Sequence, residues 1–550
     1  MSTTMNRTTP GVYITEYNAF PQSVVGVQTA VPAFIGYTEY ALVDGKDVTL
    51  QPILLTSMAD YMQVFGGEFN TQWEIQTWPT SPPTAGQSPD FTVAGQPYVM
   101  VPATGQPKFN LYYSLQLFFA NGGANCYVVS VGSYAGNTID ATQLTAGLDA
   151  IYNQSGPTML VVPEAVYLSS LQDFYDVTGQ MLTQCNTLQD RVAIYDIYGG
   201  DTVPQLPKVD LEAQLTQPTG VIAQFQANPT FVNMQTTTVN GLSYGAAYFP
   251  FLETTVVEAS DINYTNFDAG EKAGAWPSGT DSPPSSTPTM LQYILTLFNQ
   301  EQYPPSSNPK QTQVQGYIDQ IVQDPTTHDS QTVNSLNTLL SSALPQYGKM
   351  LSLIAGKAGV LPPSPAMAGI YTLNDNNRGV WNAPANMALQ SVTGLTVNLD
   401  NDQQGGLNVP INGMAIDVIR DFPGRGSVVW GARTLDGNSQ DWRYIQVRRT
   451  INYVEQSIRQ AINPYVFAAN VSSTWVAVVQ MISGFLQGLW SQGGLMGDKA
   501  SDAFTVLCGV PDTMTSTDIL NGYMVVQVTL QMVHPAEFIE LEFRQTMQNP

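Results

Sequence analysis

The sequence predicts a mixed α/β protein made of several domains. At 550 residues the chain is too long for one hydrophobic core, so two to four domains are expected. Helical and strand patterns alternate after residue 110, with helices at 111–120, 141–152 and 165–187 and strands at 126–131, 158–163 and 191–197. Such alternation indicates an α/β layer with at least partly parallel strands.

The composition favours a surface that packs against copies of itself. Charged residues make up 11% of the chain, and the formal net charge is -24. Soluble domains usually carry roughly 25% charged residues, and here glutamine, asparagine, serine and threonine take their place. An ordinary secreted protein with a mild surface is the competing interpretation.

The cysteines and the chain start indicate a protein made in a reducing cytosol. Cys126, Cys185 and Cys508 are scattered without CxxC spacing, so we expect buried free thiols. The first residues contain no apolar secretory segment, and the most apolar helix, near 475–490, is too short and too polar to cross a bilayer. Export by the usual route and membrane insertion are not expected.

The N-terminal part contains one apolar segment, one short helix and one polar flap. Residues 1–10 are polar, and Val12 to Tyr17 form a strand pattern that has no partner nearby in sequence. An apolar segment at 24–37 and a helix at 57–65 follow, and Gly66 and Gly67 end that helix. Residues 76–108 are rich in Pro, Gly and Gln and predict a loop or a small exposed flap.

A long segment from 257 to 365 has the pattern of an insertion. It combines low-complexity stretches at 277–289 and 303–309 with helical runs at 290–300, 312–323 and 332–355. Its Pro- and Ser-rich margins bury little apolar surface, so we expect a peripheral helical insertion. A substrate-binding lid is the competing interpretation.

An arginine-rich window covers residues 416–470. It holds seven of the nineteen Lys and Arg residues, which outnumber the acids there. The residues 427–430 and 442–447 predict two strands, and the apolar spacing from Ile451 to Ile462 predicts an amphipathic helix. Most of these arginines are expected to be structural, and a minority to face a partner protein.

The C-terminal part predicts a helix followed by strands. The helix spans 474–490, and strands follow at 503–508 and 523–532, where apolar and polar residues alternate. Pro535 interrupts this pattern. A last strand pattern then places Ile539, Leu541 and Phe543 on one side.

The sequence offers little for catalysis or cofactor binding. The chain has two histidines, His328 and His534, and lacks HExxH, GxSxG and GxxxxGK[ST]. The pair Gly122 and Gly123 precedes its strand, which is the wrong end for a phosphate site. No catalytic, metal or cofactor site is predicted, and the acidic pI of about 4.2 disfavours nucleic acid. A carboxylate pair of a glycosidase stays open as an alternative.

Several unusual strings occur in an order that resembles the contractile tail sheath proteins of phages and of related bacterial injection machines. In the C-terminal half they are FPGRG (422–426), VWGARTL (429–435), WRYI (442–445), VRR (447–449) and YVEQSI (453–458). Earlier in the chain they are TPGVYITE (9–16), AFIG (33–36), FFANGGANCYVV (118–129), YGAAYFPFL (244–252), AGIY (368–371), NRGVW (377–381) and APAN (383–386). Only the segments near 70–108 and 257–365 depart from the family pattern.

The resemblance implies a non-enzymatic structural subunit. Such subunits form hexameric rings that stack helically around an inner tube, meet baseplate and terminator or cap proteins, and contract to drive the tube through a target envelope. They assemble in the bacterial cytoplasm, as part of a phage tail or of a particle that can be released. A secreted polysaccharide hydrolase or adhesin with a mixed α/β core is the alternative.

The resemblance also implies a domain plan. An inner sheath domain is built from N- and C-terminal parts, beside a middle α/β domain and a peripheral insertion. The expected boundaries are 1–23 (strand arm), 24–110 (N-terminal part with flap), 111–256 (middle domain), 257–365 (insertion), 366–415 (return to the middle domain), 416–532 (inner domain) and 533–550 (strand arm).

Two sets of site residues follow from these patterns. Strands without local partners are expected to pair with neighbouring subunits, and their residues are Val12, Tyr13, Ile14, Thr15, Phe538, Ile539, Leu541 and Phe543. A basic patch is expected to face acids of the tube protein, and its residues are Arg443, Arg448, Arg449 and Arg459.

Overall fold

The computed structural model divides the chain into two compact units. It describes residues 23–79, 88–136, 138–203, 211–212, 215–236, 241–268, 270, 273, 288–321 and 329–540. The larger unit is Gln28–Asn452, and the smaller unit joins Met1–Val27 with Tyr453–Pro550. A unit built from both ends of the chain agrees with the predicted mixed, multidomain fold class.

The larger unit is organised around one mixed sheet. In the described part of the chain eight strands form it, in the order Gly426–Val429, Asp417–Phe422, Gly245–Phe249, Val192–Tyr195, Met159–Val161, Pro32–Thr38, Cys126–Ser133 and Ile53–Leu55. The first and the last of these pair antiparallel with their neighbours, and the inner pairs are parallel. The predicted partly parallel α/β layer is confirmed.

Helices cover both faces of this sheet, because alternate strand residues point into two separate cores. Ala33 and Ile35 belong to one apolar cluster, while Phe34 between them belongs to another. The first cluster takes side chains from the helices Ala141–Tyr152, Leu171–Leu188, Val221–Gln226, Pro229–Thr236 and Asn401–Asn408. The second takes side chains from Met58–Phe65, Leu111–Ala120, Ser364–Arg378 and the start of Ile445–Ile462.

Smaller elements complete the larger unit. A second sheet joins Val360–Leu361, Leu252–Thr254 and Val392–Leu395, a hairpin joins Leu42–Val43 and Lys46–Asp47, and a helix spans Asn401–Asn408. Short 3-10 turns lie at Pro163–Tyr167, Gly241–Tyr244 and Tyr264–Asn266.

The two segments that depart from the family pattern fold against each other. Three strands of the flap, Trp73–Thr77, Phe91–Val93 and Gln96–Pro102, form a small sheet. Four helices of the insertion pack on it: Met290–Gln302, Pro309–Ile318, Ser330–Ala343 and Pro345–Ala358. Together they enclose a third apolar cluster that includes Trp73, Ile75 and Met100. The flap is therefore a folded sheet and one wall of this third core.

Two expected boundaries differ from the observed division. Strands Asp417–Phe422 and Gly426–Val429 belong to the large sheet, so a boundary at residue 416 falls inside the larger unit. At the end of the insertion, Val360 pairs with Glu253 and so belongs to a strand of the second sheet.

The predicted strand at 442–447 is wrong. A helix begins at Ile445 and continues to Ile462, so it also starts six residues before the predicted Ile451. The first predicted strand of this window is confirmed as Gly426–Val429, and its partner is Asp417–Phe422. Arg443 to Val447 alternates in polarity, but Val447, Ile451 and Val454 lie at the i, i+4, i+7 spacing of one helix face, and the helix prevails.

The smaller unit contains a long helix and a short sheet. The helix Ser472–Ser491 buries Val478, Ile482 and Leu486 and packs beside the strand Phe504–Cys508. That strand pairs with Val526–Leu530, which confirms the two strands predicted here. The remaining elements are the helices Ala500–Ala503 and Ser516–Leu520 and the 3-10 turn Asn463–Tyr465.

Buried carboxylates hold helix starts in the larger unit. Glu164 accepts hydrogen bonds from the backbone N–H groups of Tyr37, Asn110 and Leu111, at the start of the helix Leu111–Ala120. Asp196 likewise accepts from the backbone N–H and the hydroxyl of Ser364. Burial raises the pKa of each carboxyl to about 7. These hydrogen bonds to helix-start N–H groups indicate structural caps.

The three cysteines are free thiols. Cys126 and Cys185 are buried as predicted, whereas Cys508 is only half-buried. Burial raises the pKa of the Cys126 and Cys185 thiols well above the ordinary value.

Candidate interaction surface

The small sheet of the smaller unit leaves both of its outer edges open. Phe504–Cys508 and Val526–Leu530 pair antiparallel, with Val506 opposite Val528. Within the described residues neither strand has a second strand beside it. Each outer edge therefore presents a row of backbone N–H and C=O groups that another strand can pair with.

Both strands of this sheet are only half-buried on their apolar side. Burial alternates along each strand, and Val526, Val528 and Leu530 are partly covered while the residues between them are exposed. A two-stranded sheet is marginally stable in water, and further strands at its edges would widen this apolar face and bury more of it against the helix Ser472–Ser491.

Large exposed apolar side chains concentrate in the smaller unit. It holds more than half of those in the described part of the chain, although it has fewer than a quarter of the residues. Examples are Phe467 at 103%, Leu520 at 86% and Tyr523 at 63% exposure. A high share of large exposed apolar side chains favours a role in binding other proteins.

The predicted C-terminal strand does not pair within its own chain as far as the structure describes it. Residues 533–540 form no strand, and Phe538 and Ile539 are 74% and 77% exposed. Leu541 and Phe543 lie outside the described residues, as do Val12, Tyr13, Ile14 and Thr15 of the N-terminal strand.

The N-terminal segment enters the smaller unit along one helix. Val24 is buried, and the N–H of Val27 donates to the Ser457 hydroxyl at 3.1 Å. Val24 also lines a cavity of about 400 Å³ beside Tyr453 and the helix Ser472–Ser491. The chain start is therefore tied to the same unit that holds the C-terminal strands.

Two of the four predicted tube-facing arginines are buried inside the larger unit. Arg449 binds Asp375 at 2.6 Å, and its guanidinium lies 4.5 Å from the ring centroid of Tyr371. Arg448 lies between Trp442 and Tyr244, at 4.1 Å and 4.5 Å from the ring centroids. Both residues are 4% exposed. Because neither can reach another protein from this position, their predicted role at the tube is corrected to a structural one.

The other two predicted arginines are more accessible. Arg443 is half-buried, and its Nε donates to the Ser439 carbonyl at 2.8 Å. Arg459 is exposed in the last turn of the helix Ile445–Ile462. Of the four predicted arginines, Arg443 and Arg459 are therefore the accessible ones. Sequence reasoning missed Asp375, and no local spacing links it to Arg449.

The described residues contain no group of three or more His, Cys, Asp or Glu side chains placed to hold a metal ion. None of the helices in the described ranges has the length and apolarity needed to cross a membrane.

Comparison with known proteins finds a similar domain for the segment that holds this surface. Residues 438–546 match the model of the phage tail sheath C-terminal domain. A putative prophage major tail sheath protein of Pseudomonas aeruginosa (strain UCBPP-PA14) is 27% identical over 180 residues, 32% of this chain and 44% of that protein. The tail sheath protein of Burkholderia phage BcepMu is 28% identical over 144 residues, 25% of this chain and 30% of that protein. The chain thus spans less than half the length of these curated relatives.

Solved structures extend the similarity to nearly the whole chain. The contracted sheath of the extracellular contractile injection system PVC matches with a TM-score of 0.54 and 25% identity, over 99% of both chains. The contracted helical sheath of the anti-feeding prophage matches with a TM-score of 0.55 and 25% identity, over 98% of this chain and 100% of that one. These findings confirm the resemblance drawn from the sequence.

Proposed function

We propose that this chain, which resembles contractile sheath proteins over almost its full length, is itself the subunit of a contractile sheath. In this proposal it polymerises as stacked hexameric rings around an inner tube and contracts to drive that tube through a target envelope. The observation that carries the proposal is the open two-stranded sheet of the smaller unit, which lies in the segment that matches the sheath C-terminal domain.

Strand exchange is the proposed mode of polymerisation. Val12 to Thr15 of one subunit and Phe538 to Phe543 of another would add to the open edges of Phe504–Cys508 and Val526–Leu530. Strand addition would satisfy the free backbone groups, and alternate side chains such as Ile14, Ile539 and Leu541 would cover the half-buried face. Each subunit would then donate strands and receive them, which produces a continuous mesh.

The proposed partners follow from the same role. The inner tube protein would bind the exposed Arg459 and the half-buried Arg443. Exposed ion pairs contribute only about 0–1 kcal/mol each. Weak pairs suit a contact between sheath and tube that has to break during contraction. Baseplate and terminator or cap proteins would bind the two ends of the polymer. No nucleic acid partner and no membrane insertion are part of the proposal.

The proposed place of assembly is the bacterial cytoplasm, within a phage tail or a phage-tail-like particle that can be released. The proposed role is structural and non-enzymatic. The competing secreted hydrolase or adhesin receives no support from the relatives, whose names all describe sheaths or sheath-bearing assemblies.

Electron microscopy of the purified protein tests the proposal. The full chain is expected to form hollow cylinders, whereas monodisperse globules that degrade a glycan would support the alternative. Deleting residues 1–16 or 536–550 should give folded, soluble monomers. Shorter deletions of 2–10 or 546–550, which spare the strand patterns, are the matched controls and should still assemble. If the longer deletions also yield full cylinders, strand exchange is not the mode of polymerisation.

A further inference from the structure

A short acidic hairpin follows the strand Pro32–Thr38 of the large sheet. Leu42–Val43 and Lys46–Asp47 pair across Asp44 and Gly45, whose φ angles of 50° and 73° match the two-residue hairpin turn that Asp-Gly favours. The side chains of Asp44 and Lys46 are exposed, and neither side chain makes a hydrogen bond or an ion pair within the described residues. The Asp47 carboxylate accepts hydrogen bonds from the N–H and the hydroxyl of Thr49, at 2.8 Å and 2.6 Å. The hairpin therefore presents the charged side chains of Asp44 and Lys46 to a binding partner.

Several exposed apolar side chains lie in this hairpin and in the segments next to it in sequence. They are Tyr40, Leu42, Leu50, Leu54 and Met62, each between 38% and 50% exposed. Leu54 belongs to the edge strand Ile53–Leu55, which pairs on one side only, with Cys126–Val128. Leu50 has a φ of 57°, a conformation that costs free energy for a bulky residue. We call the hairpin 42–47 and these five exposed apolar residues the acidic edge.

The opposite end of the same sheet carries a second hairpin with arginines. Its strands are Asp417–Phe422 and Gly426–Val429, and the rings of Phe422 and Trp430 lie 4.6 Å apart between centroids. Arg420 lies over the Phe422 ring at 5.5 Å, and Arg425 is exposed at the turn.

The two arginines bind only neutral groups within the described residues. Arg420 donates to the side-chain oxygens of Asn401 and Gln404, and Arg425 donates to that of Asn386. An open cavity of about 440 Å³ lies beside them, lined by Asn398, Leu399, Arg420, Asp421, Phe422 and Pro423. This hairpin and its cavity are the arginine edge.

We infer that the acidic edge of one subunit docks on the arginine edge of a second copy of this chain, with the hairpin 42–47 entering the cavity beside Arg420. The charges are complementary, because Asp44 and Asp47 match Arg420 and Arg425 while Lys46 matches Asp421. Apolar and aromatic side chains on both edges supply the buried contact around these pairs. The inference rests on the proposed function and names the side-to-side contact of that polymer.

The positions of the two edges determine the kind of assembly. They lie at opposite ends of one hydrogen-bonded sheet, so the contact joins two different surfaces. A head-to-tail contact of this kind produces closed rings or open helical filaments, according to the rotation between copies. The contact is separate from the strand exchange of the smaller unit, and the two can be tested independently.

Charge reversal in the full chain tests the contact. Arg420→Glu with Arg425→Glu should raise the protein concentration needed for assembly about tenfold, since each exposed pair is weak and two are reversed. The effect should shrink at about 1 M salt, where charges are screened within a few ångströms. Adding Asp47→Arg should recover part of the loss. Asp47 is preferred to Asp44 here because a long side chain would be strained at the φ of 50°.

A matched control separates the contact from a change in net charge. Lys310→Glu with Lys349→Glu changes the net charge by the same amount and sign, at two exposed positions on helices of the insertion. Normal assembly of this control together with impaired assembly of the edge variants supports the inference. Equal behaviour of the two sets contradicts it.

Disulfide trapping gives a readout that does not require cylinders. Chains with Asp44→Cys and chains with Arg425→Cys, both in a Cys508→Ser background, are mixed and oxidised. A covalent dimer that forms only in the mixture supports the inference, and a mixture of Asp149→Cys with Arg425→Cys chains should form none. If cylinders form without this dimer, the inference is wrong and the proposed function stands. If the dimer forms without cylinders, the inference stands and the proposed function is wrong. Absence of both contradicts both.

Discussion

The Arg449 guanidinium binds the Asp375 carboxylate through two hydrogen bonds, at 3.0 Å and 2.6 Å, and both side chains are 3% exposed. The same guanidinium donates to the Thr29 carbonyl at 3.1 Å. One buried cation thus connects the helix Ser364–Arg378, the start of the helix Ile445–Ile462 and the segment that leads to the first strand. It stabilises the larger unit and is not available to a partner.

Replacing Arg449 with Ala should lower the free energy of unfolding by about 3–5 kcal/mol, because Asp375 would remain buried without its cation. The double variant Arg449→Met with Asp375→Leu should lose less stability than Arg449→Ala, because it leaves no unpaired buried charge. Chemical denaturation measures both. Arg378→Ala removes an exposed arginine from the helix that carries Asp375. Its free energy of unfolding should stay within about 0.5 kcal/mol of that of the parent. An Arg449→Ala loss as small as this control would contradict the structural role.

Glu164 should make the stability of the larger unit depend on pH. Burial raises its pKa from the ordinary 4.5 to about 7, so between these values the folded state keeps a proton that the unfolded state has released. The free energy of unfolding should therefore fall as the pH rises from about 4.5 to about 7, by up to about 3 kcal/mol from this group. Asp196 acts in the same direction.

Glu164→Gln should flatten this part of the pH profile, whatever its effect on stability at one pH. Denaturation curves at several pH values between 5 and 7.5 measure the slope. The exposed Glu68→Gln is the control and should leave the slope unchanged. If Glu164→Gln and the parent have the same slope, the raised pKa is not what couples pH to folding.

The insertion should be removable only together with the flap. Deleting about 277–360 alone, the simplest test of a peripheral insertion, would uncover Trp73, Ile75 and Met100 and remove Val360 from its sheet. Ala103 donates to the Gln72 carbonyl, and Thr254 donates to the Gly359 carbonyl, so short linkers can close both gaps.

Removing 73–102 and 256–357 in one variant should leave a folded protein that still polymerises, whereas removing 256–357 alone should cause aggregation. Size-exclusion chromatography and electron microscopy distinguish these results. An unfolded or monomeric double deletion would mean that the third cluster is needed by the common core.

Reversing the accessible cations should weaken the hold on the tube without affecting the fold. Arg443→Glu with Arg459→Glu is expected to yield sheaths that lack a tube when the two proteins are produced together. Lys310→Glu, at an exposed position on the helix Pro309–Ile318 of the insertion, is the control and should yield filled particles. Filled particles from the double variant would show that the tube contact lies elsewhere.

The sequence was most informative where local pattern and burial agree. The helices Leu111–Ala120 and Ala141–Tyr152 coincide with their predicted ranges, because strong apolar spacing meets clear end signals such as Asp140 at a helix start. The range 442–447 failed because a short alternating run also fits one turn of a helix.

Contacts between residues that are far apart in the chain could not be predicted from the sequence. The flap 76–108 lacks an apolar face long enough to predict a sheet, and its burial depends on helices about 200 residues later. Arg449 and Asp375 lie 74 residues apart, so charge density around Arg449 indicated a binding patch where the fold makes a buried pair. The terminal strand patterns at 12–15 and 538–543 rest on local alternation alone and stay a prediction.

The most direct measurement of the central claim is a cryo-electron microscopy map of the assembled protein at a resolution that separates strands. Strand exchange predicts that each two-stranded sheet of Phe504–Cys508 and Val526–Leu530 gains strands on its open edges, traced to Val12 to Thr15 and Phe538 to Phe543 of neighbouring subunits. A sheet that remains two-stranded in the polymer, or one completed by strands of its own chain, would contradict the account.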